Sequence, residues 1–219
     1  VTGHGPAGFQ VARESDTFID HVGPILYRPN EKKEGTVTTR MEYARQPVVR
    51  CLERMERTVD EVAAATDGRS DASLSRRPAP ASWSAKEVVC HLRDIEELFL
   101  LRFRSMLALD EPTFLVLGEM PPDRTAWGII EGDALPLDPD RWAEERQYLR
   151  HDAGEAIAAL RRRRQETLAL LGRLGAEQWQ RGSVHVTLGR MTFSDWVALI
   201  AAHDDKHLAQ LRRALEGLP

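Results

Sequence analysis

Two histidines four residues apart, His203 and His207, carry the strongest chemical signal in this chain of 219 residues. They fall on the apolar stripe Trp196, Ile200, His203, His207, Leu211, which places both on an inward helix face. An unpaired imidazole is costly there. At this spacing their Cβ atoms stand roughly 5–6 Å apart. Two nitrogens on one tetrahedral zinc, at about 2.0–2.1 Å each, are roughly 3.3 Å apart and within reach of such a pair. A metal ion would convert two buried polar rings into ligands, although a core carboxylate or carbonyl could satisfy them instead. His91 lies between Val88 and Ile95 on a second amphipathic stretch and also points inward. Three protein ligands leave a fourth position open, the pattern of catalytic zinc sites. His4, His21, His151 and His185 fall in loop, cap or short-strand segments and are assigned no role.

His203-Asp-Asp-Lys-His207 also resembles the HExxH of zinc proteases, with Asp204 at the base position. Asp is one methylene shorter than Glu. The extended protease motif wants Gly and His where Gln210 and Arg213 stand, which argues against a conventional zinc protease.

Four amphipathic stretches position these residues. The first carries Val48, Leu52, Met55, Val59 and Val62 after Pro47 and before Gly68. The second opens on the capping box Ser84-Ala-Lys-Glu87, with Trp83 and Val88 placed as a hydrophobic staple. The third starts at Asp152 and carries Ile157, Leu160, Leu168 and Leu171; the fourth opens on Thr192-Phe-Ser-Asp195. Residues 110–147 contain five prolines and are too broken for one long helix. Ser183 to Thr187 alternates like a short strand. Four such helices sharing a core predict an all-α four-helix bundle.

Residues 1–40 read differently, with breakers, balanced charge and no signal-peptide pattern. They are expected to form a peripheral or poorly structured arm, with the folded domain over residues 41–219 and a plausible initiator at Met41. A net charge of −4 gives no global electrostatic case for nucleic acid or an anionic membrane. The longest apolar run, Trp196 to Ala202, is seven residues, far below the ~18 needed to span a bilayer. Two cysteines, Cys51 and Cys90, fit a reducing, cytoplasmic compartment.

Trp83-Ser-Ala-Lys-Glu-Val-Val-Cys-His91-Leu, His203-Asp-Asp-Lys-His207-Leu-Ala-Gln-Leu and Gly189-Arg-Met-Thr-Phe-Ser-Asp-Trp196 together resemble the DinB-like (damage-inducible, YfiT-like) superfamily. The resemblance covers roughly residues 45–216. It implies an antiparallel four-helix bundle with a long crossover between the second and third helices. It also implies one zinc or nickel ion held by His91, His203 and His207. The family includes transferases and isomerases using low-molecular-weight thiols such as bacillithiol and mycothiol, together with hydrolases. A small-molecule substrate, with a thiol as co-substrate, is therefore expected, and a homodimer would fit the family. The leading expectation is a divalent-metal-dependent enzyme, a thiol-dependent S-transferase first. Hydrolysis by metal-bound water and a non-catalytic metal-binding stress protein are the alternatives. Asp94, three residues beyond His91, is weighed as an orienter of the site or as a solvent-side partner of an Arg. Asp204 and Asp205 turn away from the ligand direction, leaving solvated or supporting roles open. Cys51 and Cys90 read as core, and Arg161 to Arg164 as a solvated face. Trp127, Trp142, Trp179 and Tyr148 read as packing or a pocket lining.

Overall fold

The computed structural model describes residues 37–115, 138–186 and 188–219. Most of the expected N-terminal arm, and Trp127 in the proline-rich connection, therefore lie outside the described residues. Local sequence chemistry sets each helix. Thr39 and Glu42 form a capping box that starts α1 (Arg40–Ala44). Pro47 takes the cap position of α2 (Val48–Thr66), one residue before the place expected for it. Ser70 caps α3 (Asp71–Ser75). The Ser84–Glu87 box opens α4 (Ala85–Ala108) as expected, and Asp152 caps α6 (Ala153–Leu171) through the Glu155 N–H. Between these two helices lie the two-residue strand β1 (Thr113–Phe114), α5 (Pro139–Glu145) and a 3-10 turn over Tyr148–Arg150. After α7 (Ala176–Trp179) come β2 (Gly182–His185), β3 (Gly189–Thr192) and α8 (Phe193–Glu216). Thr192 and Asp195 box the start of α8, and Gly217 ends it with φ +79°, a left-handed position that favours glycine.

The four long helices close into a ring. α4 packs on α6 and α8, and α2 packs on the same two. Helices α2 and α4, successive long helices in the chain, therefore face each other across the bundle. At one end β2 pairs in parallel with β1 and antiparallel with β3, Ser183 standing opposite Met191 and His185 opposite Gly189. The expected short strand exists, starting one residue earlier and ending two residues earlier than Ser183–Thr187, and its value is structural: Ser183 accepts the Trp196 indole N–H at 2.8 Å. Phe99, Phe103, Met106, Phe193, Trp196 and Ile200 fill the core nearest the sheet. Val88, Leu92, Leu160, Leu208 and Leu211 fill the other half. Each large apolar side chain buried this way stabilises the fold by about 1.5–3 kcal/mol. No helix among the described residues is long and apolar enough to cross a membrane.

One polar knot runs through this apolar interior. Arg164 of α6, 3% exposed, reaches Glu96 of α4 at 2.9 Å and Asp204 of α8 at 2.6 Å. It also donates to the Met55 carbonyl of α2, while the Thr58 hydroxyl donates to Asp204 at 2.7 Å. All four long helices therefore meet at one guanidinium. Burial opposes the charge of Arg164, but Asp204 and Glu96 outweigh it and hold its pKa above the ordinary arginine value. Two expectations are corrected here. The Arg161–Arg164 run is not a uniformly solvated face: Arg161 and Arg163 pair at the surface with Asp60 and Glu166, whereas Arg164 turns inward. Asp204 is neither solvated nor attached to a ligand histidine; it is a buried ion-pair partner, because its helical angle aims it at α6.

Arg164→Met leaves Glu96 and Asp204 buried without their cation. It is expected to cost about 3–5 kcal/mol, read from the urea midpoint, whereas Thr58→Val, which removes one hydroxyl donor shared between Asp204 and the Arg54 carbonyl, costs about 1 kcal/mol.

Candidate metal centre

The capping box at Ser84 fixes where α4 begins and thereby sets His91 in its second turn, facing α8. The box at Thr192 does the same for α8, so that His203 and His207 stack on the face turned toward α4. The three expected ligands are brought together. Their ligand nitrogens all lie within 4.8 Å of one another, and His91 Nε2 stands 3.3 Å from His203 Nε2. Ring centres are 4.5 Å apart for His91 and His207 and 4.3 Å for His203 and His207. No fourth His, Cys, Asp or Glu joins this cluster among the described residues.

The arrangement fits a divalent ion. The Nε2–Nε2 distance matches the edge of a tetrahedral site with bonds of about 2.0–2.1 Å. Without an ion, one of these two facing nitrogens must donate a proton to the other. The buried His91 Nδ1 has no hydrogen-bond partner to help fix the tautomer. Three neutral imidazoles suit zinc, nickel, copper or iron, and not the oxygen-seeking calcium or magnesium. Burial keeps the rings neutral: it takes His91 and His203 well below the ordinary histidine value, reinforced by the neighbouring histidines and Lys206. His207 is pushed down to about 3, by burial first and then by Lys206. Neutral rings are what a metal requires of its ligands.

Two supporting residues were not assigned this role from the sequence. Gln210, one turn beyond His207, accepts from His207 Nδ1–H at 2.7 Å and so directs the Nε2 lone pair toward the cluster. The sequence carries the signal as a polar residue at i+3 from an expected ligand, His207. Trp83 was read as a helix staple; its ring lies 4.9 Å from that of His91 and 6.3 Å from that of His207, covering both with apolar surface. Its indole N–H donates to Asp140 at 2.8 Å, which anchors it to α5.

The acidic neighbours stand elsewhere. Asp94 is buried, accepting from the Tyr148 hydroxyl at 2.8 Å, Arg146 at 2.9 Å and Arg93 at 2.7 Å. It is thus an arginine partner, as one of its two expected roles had it, but an interior one. Asp205 accepts from the Tyr43 hydroxyl and pairs with Arg54, which fastens α1 and α2 to α8. Both cysteines are free and buried, and burial pushes the Cys90 thiol up to about 11, so neither is a ready nucleophile. Tyr148 is core, whereas Trp142 and Trp179 pack at its margin.

Gln210→Ala is expected to weaken metal affinity by about 10–100-fold in competition with a chelating dye, with the fold retained. The buried histidines also set a pH dependence for the metal-free protein. Their folded pKa values lie below 6.5, so as the pH falls below 6.5 the unfolded chain takes up protons that the native rings do not. Stability then falls with pH by up to about 1.4 kcal/mol per unit for each ring. Urea unfolding from pH 7 to 5 is expected to show a shallower loss for His203→Ala than for the parent.

Known proteins share this arrangement of helices. The DinB superfamily matches residues 54–211. A protein of Oceanobacillus iheyensis named as a candidate metal-dependent hydrolase is 23% identical over 166 residues, which is 76% of this chain and 84% of that protein. YuaE of Bacillus subtilis, whose role is uncharacterised, is 24% identical over 157 residues, 69% of this chain and 88% of its own. Among solved structures, YfiT from Bacillus subtilis is described as a probable metal-dependent hydrolase with an unusual four-helix bundle topology. It superimposes with a TM-score of 0.63 at 20% identity, covering 86% of this chain and 91% of that one. At that identity the likeness speaks for the fold, a helical bundle. With a family match running from α2 through α8, the chain belongs to the DinB superfamily.

Proposed function

We propose that this protein is a divalent-metal-dependent hydrolase whose ion, zinc or nickel, is held by His91, His203 and His207. The observation that carries the reading is the closed set of three neutral, inward-facing imidazoles with no fourth protein ligand among the described residues. Held by His91, His203 and His207, such an ion would lower the pKa of a water toward ~7 and so supply a nucleophile at neutral pH. The chain's own contribution is geometric and electrostatic. Gln210 fixes the His207 tautomer, and Trp83 shields the His91 and His207 rings from solvent. His203, the least buried of the three, marks the side from which a substrate enters. The names of the Oceanobacillus relative and of YfiT support hydrolysis over thiol transfer. The absence of a usable cysteine leaves any thiol to be brought in as a substrate.

Protein purified without a histidine tag is expected to carry close to one zinc or nickel ion per chain by elemental analysis. It should cleave members of an ester and amide panel only when loaded. His91→Ala, His203→Ala and His207→Ala lose metal and turnover together, whereas Cys51→Ser/Cys90→Ser keeps both. A loaded protein inert toward the whole panel, yet active once bacillithiol, mycothiol or glutathione is supplied with an electrophile, would replace hydrolysis by S-transfer. A protein that takes up neither metal overturns the reading.

A further inference from the structure

Three arginines among the described residues are buried, and two of them are paired. Arg54 meets Glu61 at 2.6 Å and Asp205 at 2.7 Å, and Arg164 meets Glu96 and Asp204. The third, Arg102, is 7% exposed and has no carboxylate within ion-pair distance among the described residues. Its hydrogen bond runs to the carbonyl of Leu115, just beyond β1. Its guanidinium carbon lies 5.2 Å from the ring centre of Trp196, 5.6 Å from Phe99 and 5.8 Å from Phe114. Such cation–π contacts do not neutralise the charge. Burial accordingly pulls the Arg102 pKa down to about 10 with no opposing carboxylate. A buried cation of this kind, beside a site of chemistry, marks a place for an anion.

Its position is informative. Arg102 follows His91 by three helical turns on α4, and helical side chains lean back toward their own N-terminus, here toward the histidines. Phe99 bridges the gap: its ring centre is 6.3 Å from that of His203, which places the guanidinium within about 12 Å of the His203 ring. His185, 5.7 Å from Trp196, adds no second positive charge. Burial first, then Arg102 itself, hold its pKa down at about 4. One planar fork with one net charge suits a carboxylate, which it can grip through two parallel hydrogen bonds; a doubly charged phosphate would be left half compensated.

We propose that Arg102 binds a carboxylate on the substrate of the three-histidine centre, with the half-buried Phe114 packing against the apolar body that carries it. This builds on the hydrolase reading by naming a substrate class, small apolar or aromatic acids, and it makes Arg102 a specificity-determining residue.

Calorimetric titration of the full chain with phenylacetate, phenylacetamide and inorganic phosphate tests it. Phenylacetate is expected to bind at least ~10-fold more tightly than the neutral amide. Arg102→Met is expected to lose that preference while keeping its metal content. Metal-free protein and His203→Ala are expected to keep it, so a failure of the metal reading leaves this result standing. Equal affinity for acid and amide, tighter binding of phosphate, or an acid preference that survives Arg102→Met would each overturn the proposal. So would a preference lost in His203→Ala but kept in Arg102→Met, since the ion itself would then be taking the acid. Should Arg102→Met fail to fold, Arg102→Lys, which keeps charge but loses the fork, is expected to weaken phenylacetate binding. In that case the acid–amide contrast in the parent protein decides.

Discussion

The Arg164 guanidinium is the contact on which the bundle's geometry depends. A buried ion pair adds little net stability, since desolvation offsets most of its Coulomb gain; its effect lies in the cost of every arrangement that breaks it. Arg164 of α6 touches Glu96, Asp204 and the Met55 carbonyl at once, so rotating α4 or α8 about its axis strands a charge in the interior. Glu96 is five residues from His91 on α4, and Asp204 adjoins His203 on α8. The same two helices thus present charged residues toward α6 and imidazoles toward each other. Fixing the first fixes the second, and three rings within a few ångströms need that degree of definition.

Charge is distributed with the same consistency. Carboxylates beside the ligands in sequence are committed elsewhere: Asp94 to Tyr148 and two arginines, Asp204 to Arg164, Asp205 to Tyr43 and Arg54. Around the histidine cluster stand a neutral glutamine, the Trp83 indole and the Phe99 ring, with Lys206 as the cation that acts on the three imidazoles. A site of neutral donors gains its charge from whatever ion it takes. That makes the ion, and not a side chain, the electrostatic centre of the chemistry.

The four long helices were legible in the sequence because caps and apolar spacing are local: Ser84 and Glu87, Asp152 and Glu155, Thr192 and Asp195 each announce a start. The histidine cluster was legible for a related reason, since polar rings on apolar stripes contradict the pattern around them. What escaped was the set of pairings between distant segments. Of the four arginines in the run, Arg164 alone falls on the apolar stripe, four residues from both Leu160 and Leu168, but only the position of α6 between α4 and α2 supplies the partners it meets there. Asp204 looked peripheral because its helix angle was judged against the ligands and not against a third helix. Trp83 packs on His91 from just outside the helix, a placement decided by α5, whose Asp140 holds the indole.

The ring order of the helices has a further consequence for how the protein comes into being. His91 and His203 meet across a separation of 112 residues, and the knot around Arg164 likewise needs residues from all four long helices. Closing a loop of that length carries an entropic cost that neighbouring contacts must offset. On a ribosome α2, α4 and α6 emerge before α8, so the growing chain holds one lone histidine of the cluster and an Arg164 with only one of its two carboxylates. Neither the ion site nor the central ion pair exists until the last long helix docks. A metal held by the three histidines would therefore be captured late, on completion of the bundle, since a chain lacking α8 offers it His91 alone.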